Sequence, residues 1–373
     1  MIIGVLKEIK PNEYRVAAIP ATVKEITARG HQVLVQQGAG TGSGYSDAEY
    51  EAAGAVILPT ADEVYRQADL FYKVKEFFPE EYQYMGRDKI IFTYIHSNAH
   101  PEETDAILDS HVTAFAYEDI TDDDGNFPLL KPMSILAGKG AFLAALHHMQ
   151  AVFGGAGTLL SNVTGIEAPV VTIIGAGNSG IGAAELAAGF GNTVRILDVN
   201  MKAMEAAKAK LPSNVSFLIS NRENLEKCLK DSDVIINCIL WPKHRKDHLI
   251  NREDLAMMKP GAMIVDVACD DEGAVETCRC TTHDNPVYFE EGILHYCVDN
   301  IPSAFSRTAS TMLAIATLPY LLEIAGKGPE KAVKENIHIR RGLTAYDGML
   351  TLEETALKQN RPLTDVNQLV ESF

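Results

Sequence analysis

One stretch of this chain, Pro169–Asn200, constrains its fold more than any other. A β-branched apolar run, Val170-Val-Thr-Ile-Ile174, leads into Gly175-Ala-Gly177-Asn-Ser179-Gly180. An alanine-rich helical stretch follows, then a second strand over Thr193–Leu197 ending at Asp198. Strand, glycine turn, helix, strand and acid in this order form a unit that grips a dinucleotide. Gly175 allows the tight turn. Gly177 has no side chain, so a pyrophosphate can approach the backbone. Gly180 lets the helix pack closely on the strand. The helix N-terminus, with Ser179, offers unpaired N–H groups and a partial positive charge to the phosphates. Asp198, about 20 residues beyond the second glycine, is placed to accept hydrogen bonds from the adenosine ribose and repels a 2′-phosphate. The predicted cofactor is therefore NAD rather than NADP. The plainer alternative is an ordinary strand-to-helix turn with a packing glycine.

A chain of 373 residues predicts two domains. Its 46% hydrophobic and 22% charged content is that of a globular protein. A net charge of −17 argues against nucleic acid or an anionic membrane surface as partner. No apolar run in the sequence reads as a bilayer span, and Met1–Lys7 reads as a strand rather than a secretory leader. Both point to the cytoplasm. The six cysteines fit no disulfide or zinc spacing and are predicted to be free thiols; no metal site is expected.

The first third alternates strands (Ile2–Leu6, Gln32–Gln36, Leu70–Val74, Ile90–Tyr94, Val112–Tyr117) with helices, which predicts a parallel sheet covered on both faces. Ser134 to about Phe153 is apolar and helical. A second block repeats the logic, with strands at Val215–Ile219, Val234–Cys238 and Met263–Val267. From Ala304 onward the pattern is mostly helical. The predicted fold class is α/β, with two doubly wound domains and a cleft between them. Residues 1–128 with 305–373 form a discontinuous catalytic domain; residues 129–304 form a Rossmann NAD-binding domain.

The N-terminal Met1–Gly38, with KEIKPNEYRVAAIP as its most specific part, resembles the alanine dehydrogenases. So do LFYKVKE (Leu70–Glu76), IFTYIH (Ile91–His96), PMS (Pro132–Ser134), the GAGNSG turn, TTHDNP (Thr281–Pro286) and HYCVDNIP (His295–Pro302). These enzymes are grouped with the nucleotide-binding subunit of transhydrogenases. The resemblance runs over nearly the whole length in the same order. It implies two αβ domains with a split first domain and a homo-oligomer, usually a hexamer. The implied reaction is reversible NAD-dependent oxidative deamination of L-alanine to pyruvate and ammonia.

Such chemistry makes four demands: the carboxylate must be held, protons moved, water activated and the Cα hydrogen aimed at the nicotinamide. Arg15, in a loop after the first strand, carries a fork suited to a carboxylate, and the resemblance makes it the substrate-carboxylate residue. Lys73 and Lys75 end a strand and alternate onto one face near its C-terminal end, where ligands of open αβ sheets bind. By resemblance Lys75 is the substrate lysine; its alternative is an ion pair with Glu76. His96 ends the next strand at the same edge and is the predicted general acid/base. Asp270, after Met263–Val267, is implied by the resemblance to position or activate water and to lie on the cofactor. Ser134, Val298 and Ile301 resemble cofactor contacts, with Ser220 and Leu240 flanking the adenine side.

Departures from the family pattern fall at Ile135 and Lys139, at Asp271 and Glu272, at Ser161–Gly165, and at Ser303. They leave open a dehydrogenase for another amino acid, or an opine-type reductive condensation. Readings of another class are a transhydrogenase-like nucleotide-binding subunit, which would need no acid/base, and an NAD sensor.

Overall fold

The structure is a computed structural model and describes residues 1–242, 245–269 and 273–373. Its strands are β1 (Ile2–Val5), β2 (Gln32–Gln36), β3 (Val56–Leu58), β4 (Leu70–Tyr72), β5 (Ile90–Thr93) and β6 (Thr113–Ala116). Then follow β7 (Val170–Ile174), β8 (Thr193–Asp198), β9 (Val215–Ile219), β10 (Val234–Asn237), β11 (Met263–Asp266), β12 (Val287–Glu290) and β13 (Ile293–Tyr296). The last two are β14 (Leu343–Tyr346) and β15 (Met349–Leu350). The chain divides into two units, Met1–Met133 with Phe305–Phe373, and Ser134–Ala304.

The first unit holds an eight-stranded sheet in the order β15-β14-β6-β5-β4-β1-β2-β3. Strands β1 to β6 pair in parallel, and the near-continuous apolar runs of β1, β4, β5 and β6 are buried, as strands covered on both faces require. From β1 the chain winds out through β2 and β3. It then returns and winds the other way through β4, β5 and β6. The reversal leaves a switch point between β1 and β4, where the outgoing loops diverge. Connecting helices carry local stop and start signals. Thr60 caps Ala61–Gln67 by accepting the Glu63 N–H at 3.3 Å, while Glu63 reaches back to the Thr60 N–H at 3.1 Å.

Two features differ from the sequence reading. The C-terminal stretch is not wholly helical: β14 and β15 form a hairpin that adds an antiparallel edge to the first sheet. Its turn is Asp347-Gly348, both in the left-handed region (φ 48° and 81°), the strongest short hairpin signal. Flanking strands of only four and two residues hid it among helices. The helical stretch Ile301–Lys327, which includes the helix Ser306–Lys327, is also long and apolar enough by length and composition to cross a bilayer. Here Ser306–Lys327 is a core helix of the first unit. Ala309, Leu313, Leu321 and Ile324 are buried, Ser310 accepts the Val16 N–H at 2.9 Å, and Thr317 is hydrogen-bonded to the Tyr72 hydroxyl.

The second unit holds a seven-stranded sheet in the order β12-β13-β11-β10-β7-β8-β9. All its pairings are parallel except the β12–β13 edge. Its switch point lies between β7 and β10. The helices Lys131–His148 and Asn178–Gly189 cross closely because small residues meet there. A Cβ added to Gly138 would lie 1.8 Å from the Ser179 carbonyl, and one on Gly182 2.4 Å from that of Ile135. Lys139 spans the same two helices with a bond to Glu185 at 2.7 Å.

Candidate active site

In the first unit the predicted residues come together at the switch point. Arg15 lies in the loop after β1, Lys75 beyond β4 and His96 beyond β5, three neighbouring strands of the sheet. Their charges act on one another: Arg15 and Lys10 disfavour the charged form of Lys75, and Lys75 disfavours that of His96.

Arg15 is buried, 3% exposed, and its fork is held by Glu13. Nε donates to Glu13 Oε1 at 2.7 Å and Nη2 to Oε2 at 2.5 Å, while Nη1 faces the Met133 sulfur at 3.4 Å. Burial works against the guanidinium charge, but Glu13 more than restores it. Arg15 is thus a fixed cation with one arm directed away from its partner.

Lys75 is 11% exposed, and its ammonium lies 3.4 Å from Glu76 Oε2. Burial lowers its pKa against the pull of Glu76. Glu76 also accepts from Lys10 at 2.8 Å. Burial pushes its carboxyl up, but Lys75 and Lys10 together hold it at about 2. A recess of about 430 Å³ opens beside this cluster, lined by Glu76, Phe77, His100 and Glu103 among others.

Lys73 departs from expectation. β4 ends at Tyr72, so the alternation that would place Lys73 beside Lys75 does not continue. Lys73 is completely buried, with its ammonium 2.5 Å from Glu81, 3.8 Å from Glu8 and over the ring of Phe77. Tyr65 donates to the same Glu81 at 2.5 Å. Glu8 accepts the Val74 N–H at 2.6 Å, which ties this ion cluster to the backbone that carries Lys75. Burial raises the Glu8 carboxyl to about 7 despite Lys73.

His96 sits in the left-handed region (φ 52°, ψ 38°), an uncommon and costly conformation for a residue with a Cβ. Glu118, just past β6, holds it there. One carboxylate oxygen accepts the N–H of Ile95 at 3.1 Å and of His96 at 2.5 Å, and lies 3.6 Å from His96 Nδ1. Tyr94 stacks on the imidazole at 5.8 Å with planes 9° apart. Burial first, then the charge of Lys75, hold the imidazole well below its usual pKa, so the free site presents it neutral. Glu118 itself is raised by burial to about 7. Sequence reasoning missed Glu13 and Glu118. Glu118 followed a predicted strand at the same edge, which was its only signal.

In the second unit the glycine turn has the geometry a dinucleotide needs. Gly175 adopts φ 109°. A Cβ on Gly180 would lie 1.9 Å from the Gly175 carbonyl, so the helix packs where only glycine fits. At Gly177 a Cβ would meet nothing within 4 Å, which leaves room for a phosphate beside the backbone and the helix N-terminus, Asn178–Gly189. Asp198 Oδ2 accepts the Ala176 N–H at 2.7 Å and Oδ1 the Asn200 N–H at 2.8 Å, so the acid is tied to the turn. Each oxygen keeps a lone pair for a ribose hydroxyl. Ser220 hydrogen-bonds through its N–H to the Asp198 carbonyl at 2.9 Å, and Leu240 is 86% exposed after β10. The loops after β7 and β10 approach closely, with Gly175 facing Cys238 and Ile239. Val298 and Ile301 are buried after β13, and Ser134 lies in the first turns of Lys131–His148. Asp270, Asp271 and Glu272 lie outside the described residues. Ser303 is hydrogen-bonded to the Asn300 carbonyl and to His283 at 3.1 Å. A separate groove of about 820 Å³, lined by Val163, Arg195 and Lys259 among others, lies by the N-terminal ends of β7 and β10, away from the glycine turn.

Residues 4–137 match the family model for the alanine dehydrogenase/PNT N-terminal domain, and residues 141–353 that for the C-terminal domain. The chain belongs to the alanine dehydrogenase/PNT family. It is 42% identical over 365 residues to an alanine dehydrogenase of Methanococcus maripaludis, covering 98% of each chain. It is also 42% identical over 357 residues to that of Bacillus subtilis, covering 95% of this chain and 94% of the other. A solved structure of an L-alanine dehydrogenase superposes with a TM-score of 0.92 at 35% identity, covering 96% of this chain and 99% of that one. A transhydrogenase from Sinorhizobium meliloti shares the fold, with a TM-score of 0.80 at 24% identity, 95% of this chain and 99% of that one being covered.

Proposed function

We propose that the protein catalyses the reversible NAD-dependent oxidative deamination of L-alanine to pyruvate and ammonia. The observation that carries this reading is the meeting of the buried Arg15 and the partly buried Lys75 with a neutral His96 at one switch point of the first sheet. A transhydrogenase-type nucleotide-binding subunit has no use for that combination.

When bound, NAD supplies the hydride acceptor. Gly175, Gly177, Ser179, Gly180 and Asp198 hold its pyrophosphate and ribose, with Ser134, Ser220, Leu240, Val298 and Ile301 as further contacts. Arg15 binds the substrate carboxylate in a charge-assisted pair whose orientation Glu13 fixes. That carboxylate offsets the positive charge around His96 and moves the imidazole up toward a working pKa. The ring nitrogen turned away from Glu118 takes the proton released as the imine forms. Lys75 stabilises negative charge on the oxygen that becomes the pyruvate carbonyl. Asp270 positions the water that hydrolyses the imine. A cytoplasmic homo-oligomer, a hexamer by the resemblance, completes the reading; light scattering on purified protein tests the assembly.

The decisive assay mixes the protein with NAD and single amino acids and follows NADH absorbance. Turnover with L-alanine above all others is the expected result. Turnover confined to a different amino acid overturns the substrate. Absence of turnover with every amino acid, despite NAD binding, overturns the activity.

A further inference from the structure

Beyond the ends of β4 and β5, the recess of about 430 Å³ shares Glu76 with Lys75. Glu76 and Phe77 from the loop after β4 form part of its wall, with Tyr82 and with His100, Glu102 and Glu103 at the start of the helix Pro101–Ser110. Its acids differ in what they have left to offer. Glu76 is held by Lys10 at 2.8 Å and faces Lys75 at 3.4 Å. Glu102 is exposed to water. Glu103 is 1% exposed; its Oε1 accepts the Phe77 N–H at 2.7 Å. Its Oε2 is shut away from solvent and has no hydrogen-bond partner among the described residues. A glutamate three residues into a helix ordinarily reaches back to the cap N–H. Here the His100 N–H donates to the Ser97 carbonyl at 3.2 Å, and Glu103 crosses to the loop after β4 instead. A buried acid oxygen left open costs free energy unless a donor completes it.

We propose that this recess is an ammonium site, in which Glu103 holds the nitrogen that the reaction at Lys75 and His96 releases or consumes. Among the described residues no group of three or more His, Cys, Asp or Glu side chains is arranged to hold a metal ion, which favours a hydrogen-bonded cation over a chelated one. Burial keeps His100 toward its neutral form, so its imidazole adds little repulsion. Burial also raises the Glu103 carboxyl well above its usual range, so without a partner it keeps its proton. Ammonia arriving from the Lys75 side takes that proton, and an ammonium–carboxylate pair forms with no other bond changed. The N-terminus of the helix favours the charge left on Glu103. In the amination direction the pair returns the proton to Glu103 and frees ammonia, the nucleophilic form. The identity of the ligand rests on the deamination read from Arg15, Lys75 and His96; the recess and its open acid do not.

The test uses the full chain in sodium, potassium and ammonium chloride at equal ionic strength. The melting temperature of the wild type is expected to be about 2 °C or more higher in ammonium than in either other salt, as a ligand of the folded state requires. Glu103→Gln keeps an acceptor for the Phe77 N–H but loses the charge, and the gain is expected to vanish; in Glu102→Gln it stays. In reductive amination of pyruvate, Glu103→Gln is expected to raise the KM for ammonium about tenfold or more and to leave the KM for pyruvate within about twofold. No gain in the wild type, or an equal gain in Glu103→Gln, overturns the site and leaves water to complete the acid. An equal gain in potassium overturns the assignment to ammonium. A parallel rise in both KM values makes Glu103 a structural residue and overturns the proposal as well. Wild type that aminates no 2-oxo acid overturns the deamination reading instead, and the melts still decide the ammonium site.

Discussion

Glu13 grips the guanidinium of Arg15 through two of its nitrogens, two residues along the same loop, and both side chains are buried. The pair keeps a cation fixed in a site that excludes most water. A lysine cannot reproduce the fork. In Arg15→Lys the KM for alanine is therefore expected to rise about 30- to 100-fold, the loss of a charge-assisted bond of about 2–3 kcal/mol, with a much smaller change in kcat. Steady-state kinetics decide this, and an unchanged KM removes Arg15 from the carboxylate site.

Gly177 and Gly180 look alike in sequence but differ in what surrounds them. Gly177 has extended backbone (φ −79°, ψ −170°) that any residue adopts, and open space where a Cβ would go. Gly177→Ala is expected to leave the melting temperature of the free protein essentially unchanged and to weaken NAD binding at least tenfold. Gly180→Ala meets the Gly175 carbonyl and is expected to destabilise the fold by about 1–3 kcal/mol, the usual cost of overpacking. Thermal melts with and without NAD separate the two. Equal melting behaviour in both variants contradicts the assignment.

These contrasts show what was legible in the sequence. The geometry of the glycine turn and of Asp198 was readable because it is local to one strand–turn–helix unit. The placement of Arg15, Lys75 and His96 beyond neighbouring strand ends was readable through family resemblance and through the rule that ligands gather there. The groups that hold them were not. Glu118 meets His96 because β5 and β6 pair, and Lys73, beyond the end of β4, turns inward to meet Glu8 and Glu81. Such partners lie far apart along the chain, where no periodicity points to them. The Asp347-Gly348 hairpin had a local signal, but its strands were too short to stand out.

Asp198 bonds to the N–H groups of Ala176 and Asn200, so its carboxylate is fixed beside the glycine turn. Asp198→Asn removes that charge and turns one hydrogen-bond acceptor into a donor. NAD affinity is expected to fall about tenfold or more, and the ratio of NADP to NAD affinity to rise by at least as much. Titration with each dinucleotide measures both. A preserved preference for NAD would show that the carboxylate does not face the 2′-hydroxyl.

Glu118 supplies a pH signature for the region around His96. Burial raises its carboxyl from 4.5 to about 7 against the N–H groups it accepts. Between those values the folded protein holds a proton that the unfolded chain has released. The stability it contributes is thus complete below pH 4.5 and is lost as pH rises through 7. Glu118→Gln cannot titrate. The stability of the wild type relative to Glu118→Gln is expected to decline from about pH 5 to about pH 8, by at most about 3 kcal/mol for a shift of this size. Denaturant unfolding of both proteins at several pH values gives the difference directly. A gap that stays level over this range would mean that the carboxylate is already ionised in the fold, with the Ile95 and His96 N–H groups outweighing its burial.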